Sequence, residues 1–372
     1  MPAYLEKVQE VLTAADIKIN GDRPWDMQVK NPHLYQRILA QGSLGLGESY
    51  MDGWWDAKAL DQFFFKLMRL DLNELANIGT AFLVLRSKLF NLQNKKRSTR
   101  VAKEHYGLGN DFYEKMLDKR MLYTCAYWKN ARDLDEAQEH KLELVCKKIQ
   151  LQKHDRVLDL GCGWGSFAKY AAQEYGCHVT SVNISHEQME YARESVRGLP
   201  VELKEMDYRE VTGVYDKVVA IGLAEHVGYK NYGTLMKTVS RSLKDGGLFL
   251  LHAIGNNFSV TVSEPWFDKY IFPHGMLPSV SQLTKAAEKI FVLEDWHNFG
   301  ADYDKTLMAW FENFDKNWPE TRKNRPDLDE RFYRMWKYYL LALAGGFRAR
   351  GIQLWQAVFS KGGVIGGYES VR

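Results

Sequence analysis

Four short stretches of the sequence carry side chains able to do chemistry. "MLYTCAYW", residues 121–128, sets Cys125 among Tyr123, Tyr127 and Trp128. "IGLAEHVGYKNY" carries Glu225 and His226, "LLHAIG" carries His252 and Ile254, and "NFGADYDKTLMAW" carries Tyr303. A cysteine in such company can be a nucleophile, a metal ligand or a piece of pocket wall, and its immediate neighbours leave all three open. A glutamate, histidines and a cysteine could together bind a metal. The spacing argues against it: there is no H-x-x-x-H or C-x-x-C, and the residues are spread along the chain, so no metal is expected.

The strongest single signal is "RVLDLGCGWGSFAKYAA". A buried strand runs into Gly161-Cys162-Gly163-Trp164-Gly165, and a helix follows. Glycines at the carboxyl end of a strand let the backbone turn sharply and approach a ligand. The spacing is not the G-x-G-x-x-G of a dinucleotide site, and no Lys-Ser or Lys-Thr marks a P-loop. Asp159, the acid before the loop, suits a ligand with an amino group better than a pyrophosphate. The arrangement resembles the class I methyltransferases that bind S-adenosylmethionine. In such folds the next strand ends in an acid that holds the ribose hydroxyls. Here it ends "VNISHEQ", offering Asn183, Ser185 and Gln188 and no carboxylate between 179 and 186. Amides also hold hydroxyls, so the departure points to a particular branch.

These residues need elements to place them. "DLDEAQEHKLELVCKKIQL" opens with Asp133 as an N-cap and Glu136 three residues later. Leu142, Val145, Cys146 and Ile149 then recur at helical spacing, which makes Cys146 a core residue. Strand-like runs follow: "RVLDL", "HVTSVNI", "VELKEM", "YDKVVAI", "GLFLLHA", "FVLEDWHNF" and "IQLWQAVFS". Alternation with helical stretches predicts an α/β fold, a mostly parallel seven-stranded Rossmann-like sheet covered on both faces. Glu225 and His252 then fall just outside the carboxyl ends of neighbouring strands, where such sheets place their sites. Residues 1–90 read as a small, mainly helical accessory domain, 91–104 as a basic linker, and 105–372 as the catalytic domain. The linker carries Lys95, Lys96, Arg97, Arg100 and Lys103, either a solvated loop or a foot on an anionic membrane.

Composition narrows the function classes. Hydrophobic content of 45% and charged content of 26% are those of a soluble globular protein. A net charge of +3 is too small to argue for nucleic acid. No apolar run spans a bilayer, and the N-terminus lacks a signal-peptide layout. Four cysteines without a disulfide framework suit a reducing, cytosolic compartment.

The set "GSLGLGESYMDGWW", "KEHYGLGNDFY", "YTCAYW", "LDLGCGWGSFA", "AEHVGYKNY", "LLHAIG", "KYIFPHGMLPS", "EDWHNFGADYDKTLMAW" and "GGFRARGIQLWQ" resembles bacterial cyclopropane fatty acid synthases over nearly the whole chain. Mycolic acid cyclopropane synthases look like more distant relatives of the catalytic part. The resemblance implies that the methyl carbon of S-adenosylmethionine is added across a cis double bond of a phospholipid acyl chain. A bound bicarbonate then removes a proton and the ring closes. The matching bicarbonate positions are Glu225, His252 and Tyr303 through side chains, and Cys125 and Ile254 through backbone groups. Cys125 is then wall and anion support, since an alkene attacking a sulfonium needs no enzyme nucleophile. The rings of Tyr123, Tyr127 and Trp128 suit a cationic neighbour. A buried Glu225 needs a partner, and His252 is the expected one. The cofactor positions are Tyr123, Thr124, Gly161, Gly163, Asn183, Ile184, Gln188, Tyr208 and Arg209, with Asp207 beside them in "MDYREV"; the lesser alternative for Asp207 and Arg209 is a surface ion pair. Some family members carry a cysteine where this chain has Leu343, which would make that cysteine dispensable.

An acyl chain of roughly sixteen carbons costs on the order of 10 kcal/mol to expose to water, at about 0.8 kcal/mol per CH₂. The enzyme is therefore expected to work docked on the phospholipid bilayer, peripheral on its cytoplasmic face, and the family suggests a homodimer. "DERFYRMWKYYLLALAGGF" either lines a lipid tunnel or interface, or is an ordinary core helix. Two rivals stand beside this reading: the same fold methylating a fatty chain without ring closure or a small molecule, and a non-enzymatic lipid-binding or nucleic-acid-binding protein.

Overall fold

The computed structural model describes residues 3–70 and 108–372, so the basic linker at 91–104 lies outside the described residues. All seven strand-like runs form strands of one sheet. They are β1 (Arg156–Leu160), β2 (His178–Asn183), β3 (Val201–Glu205), β4 (Tyr215–Ile221), β5 (Leu243–Asn256), β6 (Val292–Asn298) and β7 (Ile352–Ser360). Their order across the sheet is β3-β2-β1-β4-β5-β7-β6. The pairs β1–β2, β1–β4, β2–β3 and β4–β5 are parallel, and β6 pairs antiparallel with β7.

Period-two side-chain alternation sorts the strand residues into two cores, one on each face. Leu158, Leu160, Val218, Ala220, Phe249, Leu251, Ala357 and Phe359 share one cluster. Val157, Val219, Leu248, Leu250 and Val358 belong to the other, where Leu142, Val145, Cys146 and Ile149 of the helix Leu134–Lys148 cover them. Two-sided burial is why these strands read as near-continuous apolar runs. Asp133 caps that helix as expected, accepting from the Glu136 N–H at 2.9 Å. The Glu136 carboxylate does not close a capping box. It turns to the N–H and Nε of Arg132 instead.

The chain divides into two compact units. The sheet unit holds residues 108–261, 274–302 and 353–372 of the described chain, and the helical unit holds 3–70 with 262–273 and 303–352. The N-terminal segment is thus compact only together with two stretches from the region assigned to the catalytic domain. The reason is apolar surface: the helix Leu60–Met68 buries Leu60, Phe63 and Phe64. The helix Glu330–Arg348 lies close enough that a Cβ on Gly345 would stand 2.6 Å from the Asp61 carbonyl. Its buried side, from Trp336 to Phe347, makes "DERFYRMWKYYLLALAGGF" a core helix of this unit. Arg348 ties the packing by donating to Asp61 at 2.6 Å and Asp304 at 2.8 Å.

Candidate active site

At the end of β1 the chain takes three left-handed glycine conformations, with φ of 79° at Gly161, 54° at Gly163 and 81° at Gly165. The N–H groups of Gly161 and Cys162 both donate to the Val182 carbonyl, which pins the loop to β2. A Cβ at Gly161 would press on Leu223 at 3.2 Å and one at Gly165 on Ala192 at 3.1 Å, while one at Gly163 would meet nothing within 4 Å. Gly163 is therefore the point of the loop open to a ligand. Asn183, where an acid is usual, donates to the Gly163 carbonyl at 3.3 Å and to Gln188 Oε1 at 2.9 Å. Its own oxygen accepts the Ile184 N–H at 2.8 Å. Next to it the Met206 N–H donates to the Asn183 carbonyl at 2.9 Å. That bond brings Asp207, Tyr208 and Arg209 to the same end of the sheet. The Asp207–Arg209 pair is bidentate, both contacts to the guanidinium being 2.7 Å, and Asp207 is buried rather than on the surface. Asp159 lies buried in β1, accepts from Ser181 Oγ at 3.3 Å, and is pushed up to about 7 by burial.

The 121–126 segment is gripped from one face of the helix Leu134–Lys148. Gln138 donates to the carbonyls of Leu122 and Thr124, at 3.2 and 2.9 Å, and Lys141 Nζ donates to Thr124 Oγ1 at 2.8 Å. Thr124 is held so close to the end of β4 that a Cβ on Gly222 would lie 2.9 Å from its methyl group. Tyr123 packs against Tyr113 at 5.4 Å between ring centres, and Tyr113 against Trp164 of the glycine loop at 5.0 Å. Cys125 is wholly buried and its thiol donates to the Ala126 carbonyl at 3.2 Å. The Tyr127 ring lies edge-on to His297 and Phe299, at 5.8 and 5.4 Å.

Glu225 lies in the short helix Ala224–Val227 that follows β4, whereas His252 lies within β5, opposite Ile221, and not outside the end of its strand as expected; both are buried. Glu225 Oε1 accepts the Ile254 N–H at 2.7 Å, and its Oε2 has no protein partner. Burial pushes this carboxyl up to about 7 against the pull of the Ile254 N–H. His252 Nδ1 meets Gln356 Nε2 at 3.3 Å, and His252 Nε2 has no protein partner. Burial, then the charges of Lys141 and Lys148, hold the imidazole well below its usual range, so it is neutral. The expected Glu225–His252 hydrogen bond is not formed. Ile221 lies opposite His252 in the ladder, so Glu225, further along, reaches the backbone of Ile254 instead. His252 shares its face of β5 with Leu248 and Leu250 and turns to β7.

The structure thus gathers Gly161, Gly163, Asn183, Ile184 and Gln188, and separately Glu225, His252 and Ile254. Tyr303 belongs to the helical unit, where its ring stacks on Phe347 at 4.5 Å. Among the described residues there is no group of three or more His, Cys, Asp or Glu that could hold a metal. Sequence reasoning missed Gln138, Lys141 and Gln356. The available signal was a polar residue on an apolar stripe: Gln356 stands within "LWQAVF", and Gln138 and Lys141 precede Leu142 and Val145 on the buried side of their helix.

A 3-2-1-4-5-7-6 sheet with a glycine loop after β1 is the fold of the class I S-adenosylmethionine-dependent methyltransferases. The family model described as mycolic acid cyclopropane synthetase matches residues 93–357. The chain is similar to the cyclopropane-fatty-acyl-phospholipid synthase of Escherichia coli K12, 52% identical over 355 residues, which cover 95% of this chain and 92% of that protein. It is also similar to a probable fatty acid methyltransferase of Pseudomonas putida, 34% identical over 282 residues, covering 72% of this chain and 71% of that one. The solved structure of the mycolic acid cyclopropane synthase CmaA1 complexed with SAH and CTAB matches with a TM-score of 0.65 at 26% identity, over 71% of this chain and 98% of that one. The chain therefore belongs to the cyclopropane-fatty-acyl-phospholipid synthase family and is an S-adenosylmethionine-dependent methyltransferase.

Proposed function

We propose that this enzyme adds the methyl carbon of S-adenosylmethionine across the cis double bond of unsaturated phospholipid acyl chains and closes a cyclopropane ring, with bicarbonate as the base. The observation that carries the reading is the pair of buried atoms left without protein partners, Glu225 Oε2 and His252 Nε2. Buried polar atoms are ordinarily satisfied, so two orphans, one just past β4 and one on the neighbouring β5, suit a small polar ligand. With Glu225 ionised, its Oε2 is an acceptor, and His252 Nε2, on a neutral imidazole, is a donor; bicarbonate offers a hydroxyl to the first and an oxyanion to the second. When bound, it supplies the base that takes one proton from the transferred methyl group. The Ile254 N–H orients Glu225, and Cys125 forms wall with backbone groups toward the anion. The share of Tyr303 rests on the sequence resemblance alone.

For the cofactor, Gly163 gives backbone access, and Gly161, Asn183, Ile184 and Gln188 form the bed. Tyr123 and Thr124 stand on one side and Asp207, Tyr208 and Arg209 on the other. The same proposal places the enzyme on the membrane surface as a homodimer. Among the described residues, no helix is long and apolar enough to cross a membrane. A second reading, methylation of a fatty chain without ring closure, is favoured by the Pseudomonas putida relative.

The test uses purified protein, S-adenosylmethionine and vesicles of cis-unsaturated phospholipid, with and without bicarbonate. Ring-proton NMR and fatty acid mass read the product. Cyclopropane signals that depend on bicarbonate support the proposal. A branched methyl or exomethylene product selects the second reading, and no lipid product despite cofactor binding removes both.

A further inference from the structure

We propose that Gln356 is a positioning residue for this reaction: from β7 it holds His252 in the tautomer that presents an Nε2–H to the site anion. The inference rests on the reading of His252 as an anion donor given above. Gln356 and His252 are both buried, on strands that neighbour each other in the sheet. Gln356 Nε2 lies 3.3 Å from His252 Nδ1, and an amide nitrogen can only donate. Nδ1 is then the acceptor, and the ring proton resides on Nε2, the atom without a protein partner. The opposite tautomer would turn a lone pair toward an anion.

Other features agree with a fixed, neutral ring. Phe299 packs edge-on to the imidazole at 5.9 Å between centroids, which limits its rotation. Gln356 lies two residues before Val358, on the face whose core includes Leu248 and Leu250, so strand alternation puts the amide on the same face as His252. A glutamine within the apolar run "LWQAVF" leaves its Oε1 buried and unpartnered, a cost that packing alone does not explain.

The first experiment is ring-nitrogen NMR on wild-type protein labelled with 15N-histidine, the His252 signals being assigned by their loss in His252→Gln. The expected spectrum has Nε2 protonated and Nδ1 bare; an Nδ1–H form or an imidazolium overturns the proposal. The second uses Gln356→Glu, whose carboxylate accepts from Nδ1–H and reverses the tautomer, with Gln356→Leu as the apolar control. At metal sites, losing the group that hydrogen-bonds a ligand histidine costs about 10- to 100-fold, and the same scale is taken for an anion held by a histidine. A rise of that size is expected in the KM for bicarbonate in Gln356→Glu, with S-adenosylmethionine affinity within about twofold of wild type. Wild-type bicarbonate KM and kcat in both folded variants would end the positioning role. Wild-type turnover indifferent to bicarbonate overturns the underlying anion reading instead, while the NMR result still decides whether Gln356 sets the tautomer.

Discussion

Glu48 in the helical unit and Glu225 in the sheet unit are buried to nearly the same degree, 7% and 8% exposed. Their surroundings are opposite. Glu48 accepts from Arg37, from Lys269 at 2.5 Å and from Tyr270 at 2.8 Å. Burial pushes its carboxyl up, but those donors outweigh burial and hold it at about 2. Glu225 has one donor, a backbone N–H, and burial pushes it to about 7. A buried carboxylate with its partners supplied belongs to the architecture; the proposed function gives the missing partner of the other to a ligand. The pH signs differ accordingly. Glu48 stabilises the fold above the ordinary carboxyl range near 4.5, and that stability is lost as pH falls toward 2. The protonated Glu225 is favoured by the fold, and its contribution is lost as pH rises from about 4.5 through 7.

Breaking the comparison starts with Glu225→Gln. Turnover should fall by about a hundredfold or more, the range for a residue acting on proton transfer, with S-adenosylmethionine binding retained. Steady-state kinetics and calorimetric titration check both, and wild-type turnover would remove Glu225 from the mechanism. Glu48→Gln should leave binding intact but destabilise the protein by about 3 kcal/mol at pH 7, because Arg37 and Lys269 lose a buried partner. Urea unfolding at pH 7 measures this, and an unchanged midpoint would deny Glu48 its structural role. In the same assay, the stability of Glu225→Gln relative to wild type should increase by about 1–3 kcal/mol between pH 5 and pH 8. A flat difference would mean that Glu225 is charged throughout. Gly163→Ala should cost about 1 kcal/mol of stability from its positive φ and raise the Kd for S-adenosylmethionine. Asp133→Ala should cost about 1 kcal/mol by uncapping its helix and leave kcat unchanged.

What the sequence made legible follows the range of the interactions. The seven strands and the helix after Asp133 were readable because periodicity and capping are local. The glycine loop was readable because left-handed backbone at Gly161, Gly163 and Gly165 demands one residue type. The partners of Glu225 and His252 were not readable. They depend on the β4–β5 register and on which neighbouring strand His252 faces, and neither leaves a trace in residue spacing. Membership of the helical unit was hidden for the same reason, because the partners of the helix Leu60–Met68 lie more than two hundred residues further along. Lys141 and Gln356 left a faint mark as polar intruders on apolar stripes, visible once the buried face was known.

The cysteines give the fold a set of internal clocks. Cys125, Cys146 and Cys177 are buried, Cys162 is half-buried, and none of the four is in a disulfide. Burial also pushes Cys177 up to about 11 and holds Cys146 and Cys162 well above the usual thiol range. An alkylating reagent can therefore label Cys125, Cys146 and Cys177 in the native enzyme only as fast as each surrounding region opens, with the half-buried Cys162 as the internal reference. Mass spectrometry of timed labelling would rank the opening of the 121–126 segment, the helix Leu134–Lys148 and the turn before β2 in one experiment, without introducing a probe.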